Sequence, residues 1–360
     1  MKLKNKIAFG LLCQWYEIEM FQEHIDSLIQ MMENVENPEM VTFDFCISYQ
    51  TYLESCEFDV VDLESKFQDQ LERLLRFEVK INQQAKFGPN DENGWNDEFY
   101  NIASYRRDFN YKYCQTHDLI CWSETDSLWP KQTLEILDNL HESVKGQTPK
   151  YIFNFADRRL WDNSFAPLHP LYEKIQFRED EEWQFNNPCS GKAYMSLEHM
   201  NEINSIPFNE IEIVSFNEPR FDGSCVCFSS DLIKSGVNIP HALIHCSEDV
   251  SLGVIAKKLL GDQFVQYNAR NILHVHNRRH PKKRSYIKGE NNPTGKCTVK
   301  DKGEWWKILE DSSKQNFSNL FTQKPFIKME EVMSWIQKHP HLTENELNEL
   351  NKNYENNLEI

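Results

Sequence analysis

The chain reads as an α/β protein built on a doubly wound, mostly parallel sheet. Three observations predict it. Strand, helix and strand follow one another at βαβ spacing from Lys6 to Tyr49. The predicted strands are unbroken apolar runs, as in a sheet covered on both faces. The strand Leu119 to Trp122 runs into Glu124 and Asp126, two carboxylates one residue apart, where open α/β sheets place their ligands.

Lys6 to Trp15 is the first strand, and Phe21 to Met32, with Phe21, Ile25, Leu28, Ile29 and Met32 in helical register, the first helix. Val41 to Tyr49 (VTFDFCISY) is the second strand. Leu63 to Ile81 is a polar helix that buries Phe67, Leu71, Leu74, Leu75 and Phe77. Phe87 to Trp95 is a turn-rich loop, and Asn101 to Cys114 (NIASYRRDFNYKYC) a short helix leading into the acid-bearing strand. Pro130 suits the first turn of a helix whose buried face is Leu134, Leu137, Leu140 and Val144.

Tyr151 to Ala156 is a further strand, and 157–207 an irregular, aromatic segment with one helix at Leu197 to Asn204. Ile211 to Phe216 and Gly223 to Ser229 read as strands, with Gly223, Ser224 and Ser229 leaving room for a close approach. Asp231 to Ser235 is a short helix. In HCSEDVSLGVIAKKLLG, Ser247 is a candidate N-cap, Glu248 and Asp249 occupy the first turn, and Leu252, Ile255, Leu259 and Leu260 form the apolar face. Asn271 to His276 is a last strand on which His274 and His276 share a face. The tail from Lys328 to Ile360 is an acidic helical extension docked through Met329, Val332, Met333 and Ile336.

At 360 residues, 40% of them hydrophobic and 12% aromatic, the chain has ample core and is not a disordered protein. Ten cysteines without a CxxC pair, most inside apolar runs such as Cys46, Cys121 and Cys246, read as reduced core residues, which favours a reducing, cytoplasmic setting. Lys2, Lys4 and Lys6 before Ile7 to Cys13 imitate a secretory signal. The run is short, Leu12 precedes Cys13 and no A-x-A site follows, so the expectation is a buried strand. No segment has the length of a membrane span. A net charge of −17 opposes general attraction to nucleic acid or acidic lipid, but the balance reverses between Arg270 and Lys307, a hint of an anionic ligand.

Each candidate site residue also has an ordinary reading. Glu124 and Asp126 suit a solvated loop, and Arg106 and Arg107 exposed helix charges. Glu248 and Asp249 suit helix-dipole partners, and His274 and His276 a half-exposed strand.

Taken together, the opening sheet, the NIASYRR helix, the strand ending in ETD, the late helix opening with ED and the histidines after it resemble the GT-A glycosyltransferases, most nearly the large family-two type. The resemblance spans roughly Lys6 to Arg284. It implies a GT-A-like, Rossmann-type mostly parallel sheet flanked by helices, with a nucleotide-binding half at about 1–130 and an acceptor half at about 131–284. A basic lid-like segment and a C-terminal helical extension follow over 285–360. It implies that Arg106, with Arg107, Glu124, Lys282 and Arg284, contacts a nucleotide-sugar donor, expected to be UDP-linked. Glu124 and Asp126, with His274 or His276, would hold Mn2+ or Mg2+. Asp249 would be the catalytic base, with Glu248 beside it orienting the loop or the acceptor.

One departure bears on the base. The family's acidic, Gly/Ser-rich turn after strand two is replaced here by Tyr49-Gln50-Thr51-Tyr52. The acceptor expected is a glycan, a lipid-linked sugar or modified DNA. Three alternatives stay open: glycosylation of modified bases in DNA, a sugar nucleotidyltransferase, and a non-catalytic nucleotide-sugar-binding module. The usual Gly-rich basic loop of a nucleotidyltransferase is absent after strand one, where Gln14-Trp15-Tyr16-Glu17 stands.

Overall fold

Apolar runs covered from both sides become the central strands. A computed structural model describes residues 1–49, 60–86, 100–157, 194–205, 211–216, 219, 223–243, 248–277, 302–328, 330–332 and 334. Its strands are β1 (Ile7–Gln14), β2 (Val41–Ser48), β3 (Lys80–Lys86), β4 (Leu119–Ser123), β5 (Ser127–Leu128), β6 (Lys150–Asp157), β7 (Ile213–Phe216), β8 (Cys225–Ser229) and β9 (Phe264–His276). Its helices are α1 (Ile18–Met32), α2 (Val60–Leu75), α3 (Ile102–Tyr113), α4 (Thr133–Val144), α5 (Leu197–Asn204), α6 (Ser230–Lys234), α7 (Glu248–Leu260) and α8 (Lys302–Thr322).

The strands form one sheet in the order β3-β2-β1-β4-β8-β6-β9-β5, with β7 also on β9. β3, β2, β1 and β4 are mutually parallel, β8 is antiparallel to both β4 and β6, and β6 and β9 are parallel. This is the mostly parallel, helix-flanked α/β sheet that the sequence predicts.

Alternation along each strand sends side chains to two separate cores. Phe9, Leu11, Phe43, Phe45 and Cys121 meet α1, α2 and α4 through Phe21, Ile25, Phe67, Leu71 and Leu137. Ala8, Leu12, Ile120, Trp122 and Phe228 meet α3, α6 and α7 through Phe109, Leu232 and Leu252. Because α1 and α2 cover one face and α3 the other, the winding direction reverses between β1 and β4. The carboxyl ends of strands at such a reversal bound a crevice, and Glu124 and Asp126 lie there.

Helix α3 is held close to the sheet. Asn101 caps it, its side chain accepting from the backbone N–H of Ala103 at 2.8 Å and of Ser104 at 3.1 Å. The Tyr105 hydroxyl accepts from Leu11 N–H at 2.9 Å and donates to the Asp44 carbonyl at 2.6 Å, tying the helix to β1 and β2. A Cβ at Gly10 would lie 2.8 Å from the Phe109 ring, so α3 sits this near only because β1 has no side chain there.

Several elements depart from expectation. Lys80 and Ile81, read as the end of a helix, begin the edge strand β3, whose sequence KINQQAK is polar because only one side of it is paired. Pro130 precedes α4 rather than opening it, its carbonyl accepting from Thr133 N–H at 3.0 Å. β9 begins at Phe264, well before Asn271. Its register jumps so that Phe155 faces Ala269 while Ala156 faces Leu273, and the resulting bulge hides the strand's period. Helix α8 was not expected. It docks on the α3 side through Phe317 and Leu320, and Asn316 bonds the carbonyls of Ala242 and Ile327.

The loop at 87–95, Ser247, Cys246, most of the basic 270–307 segment and most of the tail lie outside the described residues. The described cysteines, Cys46 and Cys121 among them, are buried, and among the described residues they form no disulfide. Among the described residues no helix is long and apolar enough to cross a membrane.

Gly10→Ala is expected to destabilise the fold by about 1–3 kcal/mol in chemical denaturation, by forcing Phe109 off its site. Adding Phe109→Leu should recover part of that loss, since the smaller side chain relieves the overlap; strictly additive effects would remove the close approach as the cause.

Candidate active site

Five charged side chains run in alternating sign across the carboxyl end of β4. Asp126, carried by the turn after β4, lies 3.3 Å from His276 Nε2 through Oδ1. The same nitrogen is 2.9 Å from Glu124 Oε2. Glu124 Oε1 is 3.6 Å from Arg106 Nη2, and Arg106 Nη1 donates to Glu248 Oε1 at 2.5 Å.

Each member is placed by its own element. The turn is closed by Ser127 N–H to the Glu124 carbonyl at 3.0 Å and pinned to β8 by Glu124 N–H to the Ser224 carbonyl at 3.1 Å. The bulge in β9 sets His276 opposite Ser127 of β5, and Asn277 N–H donates to the Asp126 carbonyl at 2.6 Å. Arg106 shares the buried stripe of α3 with Ala103, Phe109 and Tyr113. Its guanidinium lies over the Trp122 ring at 4.1 Å and also donates to the Gly223 carbonyl at 2.7 Å. Glu248 and Asp249 open α7, where the helix dipole favours negative charge.

Gly223 shows how tightly these groups converge. A Cβ there would stand 2.9 Å from Asp249 Oδ2 and 3.1 Å from Arg106 Nη1. The close approach expected at this glycine is therefore made by Arg106 of the cluster and by Asp249 beside it. Glu248 is buried, whereas Asp249 is partly exposed, with Oδ1 accepting from Val250 N–H at 2.7 Å.

The electrostatics follow from burial and proximity. Burial alone would strip charge from His276, but Asp126 and Glu124 together raise its pKa to about 10. Burial would likewise raise Glu124, but contact with His276 prevails and lowers it to about 2. At Glu248 burial wins: it lifts the carboxyl to about 7 against the pull of Arg106, and neighbouring Asp249 adds to the rise. A group at that value changes charge near neutrality.

Glu124, Asp126 and His276 can each present a ligand atom within 4.8 Å of the others. Two hard carboxylates and one imidazole nitrogen suit Mn2+, Mg2+ or Zn2+ chemically. The imidazolium now bridging the two acids occupies the position of a cation between them, so the residues present fit a divalent ion.

Not every expected residue joins the cluster. Arg107, one step round α3, turns away and bonds the carbonyls of Ile239 at 3.0 Å and Pro240 at 3.2 Å, so it anchors the loop before α7. His274 Nε2 lies 2.7 Å from Ser224 Oγ and is outside the group of three ligands. Lys282 and Arg284 lie outside the described residues. Conversely, Trp122 serves the site in a way no motif announced, whereas Gly223 makes the close approach read from its sequence. Arg106 and Arg107, which suit exposed helix charges in sequence, are both buried; the helical spacing of Arg106 with Ala103, Phe109 and Tyr113 is the local pattern that goes with its burial.

No family model matches the chain, and no curated protein matches it. Among solved structures it is similar to S. aureus TarS 1-349, at 11% identity and TM-score 0.38, over 73% of this chain and 60% of that one. It is similar to the same protein in complex with UDP-GlcNAc, at 10% identity and TM-score 0.40, over 76% and 59%. It is also similar to GalNAc-T7 with UDP, GalNAc and Mn2+, at 11% identity and TM-score 0.41, over 93% and 54%. The chain thus spans less than two thirds of the length of each.

The charge pattern predicts a pH dependence. With its pKa raised from 6.5 to about 10, His276 contributes stability that is complete below pH 6.5 and fades as pH rises through 10. In metal-free protein, His276→Asn should therefore lower the melting temperature most at pH 6 and least near pH 10. A difference from the parent that stays constant over that range would show that the imidazolium is not what holds the two acids together.

Proposed function

We propose that the chain is a metal-dependent glycosyltransferase that moves a sugar from a nucleoside-diphosphate donor to an acceptor hydroxyl. One observation carries this reading: Glu124, Asp126 and His276, three side chains that could share a cation, lie beside a buried arginine, and that arginine beside a partly exposed carboxylate, Asp249, past the carboxyl end of β4. Transfer of a glycosyl group needs those parts. The departing diphosphate gains negative charge as the glycosidic bond breaks, and the attacking hydroxyl must lose a proton.

A divalent ion bound by Glu124, Asp126 and His276 would supply Lewis-acid stabilisation of the diphosphate oxygens. Arg106 adds a fixed positive group whose orientation is set by Glu248, the Gly223 carbonyl and the Trp122 ring. Asp249 is the carboxylate open to an acceptor, and it takes the proton of the attacking hydroxyl. Glu248, bound to Arg106, orients rather than reacts. UDP is the first nucleotide to try as the donor's leaving group; the acceptor class follows from the transfer assay.

Thermal-shift screening of nucleoside diphosphates and sugar nucleotides with and without Mn2+ tests the donor side, because a ligand bound only to the folded state raises its melting temperature. Asp126→Ala should abolish the Mn2+-dependent part of that shift while the chain still folds. An unchanged shift would remove Asp126 from the site.

Asp249→Asn keeps the shape and removes the base. It is expected to slow transfer by about 10²-fold or more, without weakening the donor complex. Transfer at the parental rate would leave Asp249 as a helix-terminal residue only.

A further inference from the structure

Helix α1 reaches the acid-bearing turn from beneath, on the face opposite α3. His24 is 1% exposed, and its Nδ1 lies 2.6 Å from the Ser127 carbonyl oxygen. A carbonyl only accepts, so Nδ1 carries the proton. Burial lowers the ring's pKa to about 4, which keeps it neutral and leaves a lone pair on Nε2. Ser123 Oγ stands 3.4 Å from that lone pair and itself accepts from Trp129 Nε1–H at 3.3 Å, so its own proton is free to point to His24. One residue triplet along α1, Ser27 Oγ accepts Trp129 backbone N–H at 3.2 Å and donates to the His24 carbonyl at 2.6 Å.

This network assigns each of its protons to one place, and its three anchor points on the turn are Ser123, Ser127 and Trp129. They flank Glu124 and Asp126 on both sides. The acids themselves are bonded to the Ser224 carbonyl before β8, to His276 and Asn277 at the end of β9 and to Arg106 of α3, and α1 adds hydrogen bonds to the residues that flank them.

We propose that His24 is a positioning residue that fixes the spacing of the Glu124 and Asp126 carboxylates and thereby sets the affinity for a divalent cation. The proposal rests on the metal reading of the site. Its physical basis is that groups which orient metal ligands without touching the ion contribute strongly to affinity, with typical losses of about 10–100-fold when removed.

The test is Mn2+ titration of the full chain, with the free ion followed by electron paramagnetic resonance and folding checked by a cooperative melt. His24→Leu is expected to weaken Mn2+ binding by about 10–100-fold. His24→Asn, whose side-chain amide can still donate to the Ser127 carbonyl, should recover most of the affinity, a rescue that loss of general stability does not predict. Ser123→Ala should give a smaller loss in the same direction and stands in if the leucine variant does not fold.

Parental affinity in His24→Leu, or in Ser123→Ala where that variant stands in, overturns the proposal. So does an asparagine variant as weak as the leucine one. Asp126→Ala separates the two ideas. If the parent chain binds no Mn2+, or Asp126→Ala binds it as well as the parent, the metal reading fails and this proposal with it. Binding that is lost in Asp126→Ala but kept in His24→Leu overturns this proposal alone.

Discussion

A fully buried guanidinium is the constraint on which the rest of the site depends. Arg106 has no exposure, and a charge so placed is costly unless it is paired and hydrogen-bonded. Its partners come from three parts of the fold: Glu248 from α7, the Gly223 carbonyl just before β8, and the Trp122 ring and Glu124 at the end of β4 and just after it. Satisfying Arg106 therefore requires these elements to arrive together. Asn101 fixes where α3 begins and Gly10 lets it lie close to β1, so two small features of sequence determine where that charge is delivered.

The alternating chain from Asp126 to Glu248 distributes the cost of burying charge. Each acid has a cation beside it and each cation has two acids, so no member faces a like charge without compensation. The same arrangement separates the carboxylates in charge. Glu124 is kept ionised by His276. Glu248 is pushed the other way by burial and tied to Arg106. Asp249 is partly exposed, its Oδ1 accepting from Val250 N–H and its Oδ2 close to where a Cβ on Gly223 would stand.

Support for the turn comes from within the sheet and from the helix layer below it. In the sheet, the ends of β8 and β9 hold Glu124 and Asp126 through the Ser224 carbonyl and Asn277 N–H. From the helix layer, α1 holds the flanking residues through His24 and Ser27. A short turn of acids pinned from two layers is more rigid than a surface loop of the same composition, and rigidity of the ligand groups is what a binding site for a small cation needs.

The sequence by itself determined the layering of the sheet. Buried parallel strands are written as unbroken apolar runs and amphipathic helices as a period near 3.6, and both patterns are local, so β1, β2, β4, α1, α3 and α7 were legible. It also offered Glu124, Asp126, Glu248 and Asp249, the pair Arg106 and Arg107, and the pair His274 and His276, because acids at a strand end or helix start, arginines just before the acid-bearing strand and histidines on one strand face are visible one element at a time. The edge strand β3 was hidden by its polar KINQQAK, and the start of β9 by a bulge, since neither keeps the period of a central strand. Which candidates meet was decided only by tertiary structure. Arg106 and Arg107 are neighbours in sequence, yet a step of about 100° round a helix sends one into the acids and the other into a loop carbonyl cage. His274 and His276 share a strand face, but the register of β9 against β5 and β6 brings only the second to Glu124 and Asp126. His24 had no motif at all, because its role comes from a hydrogen bond across 103 residues of chain that no local pattern records.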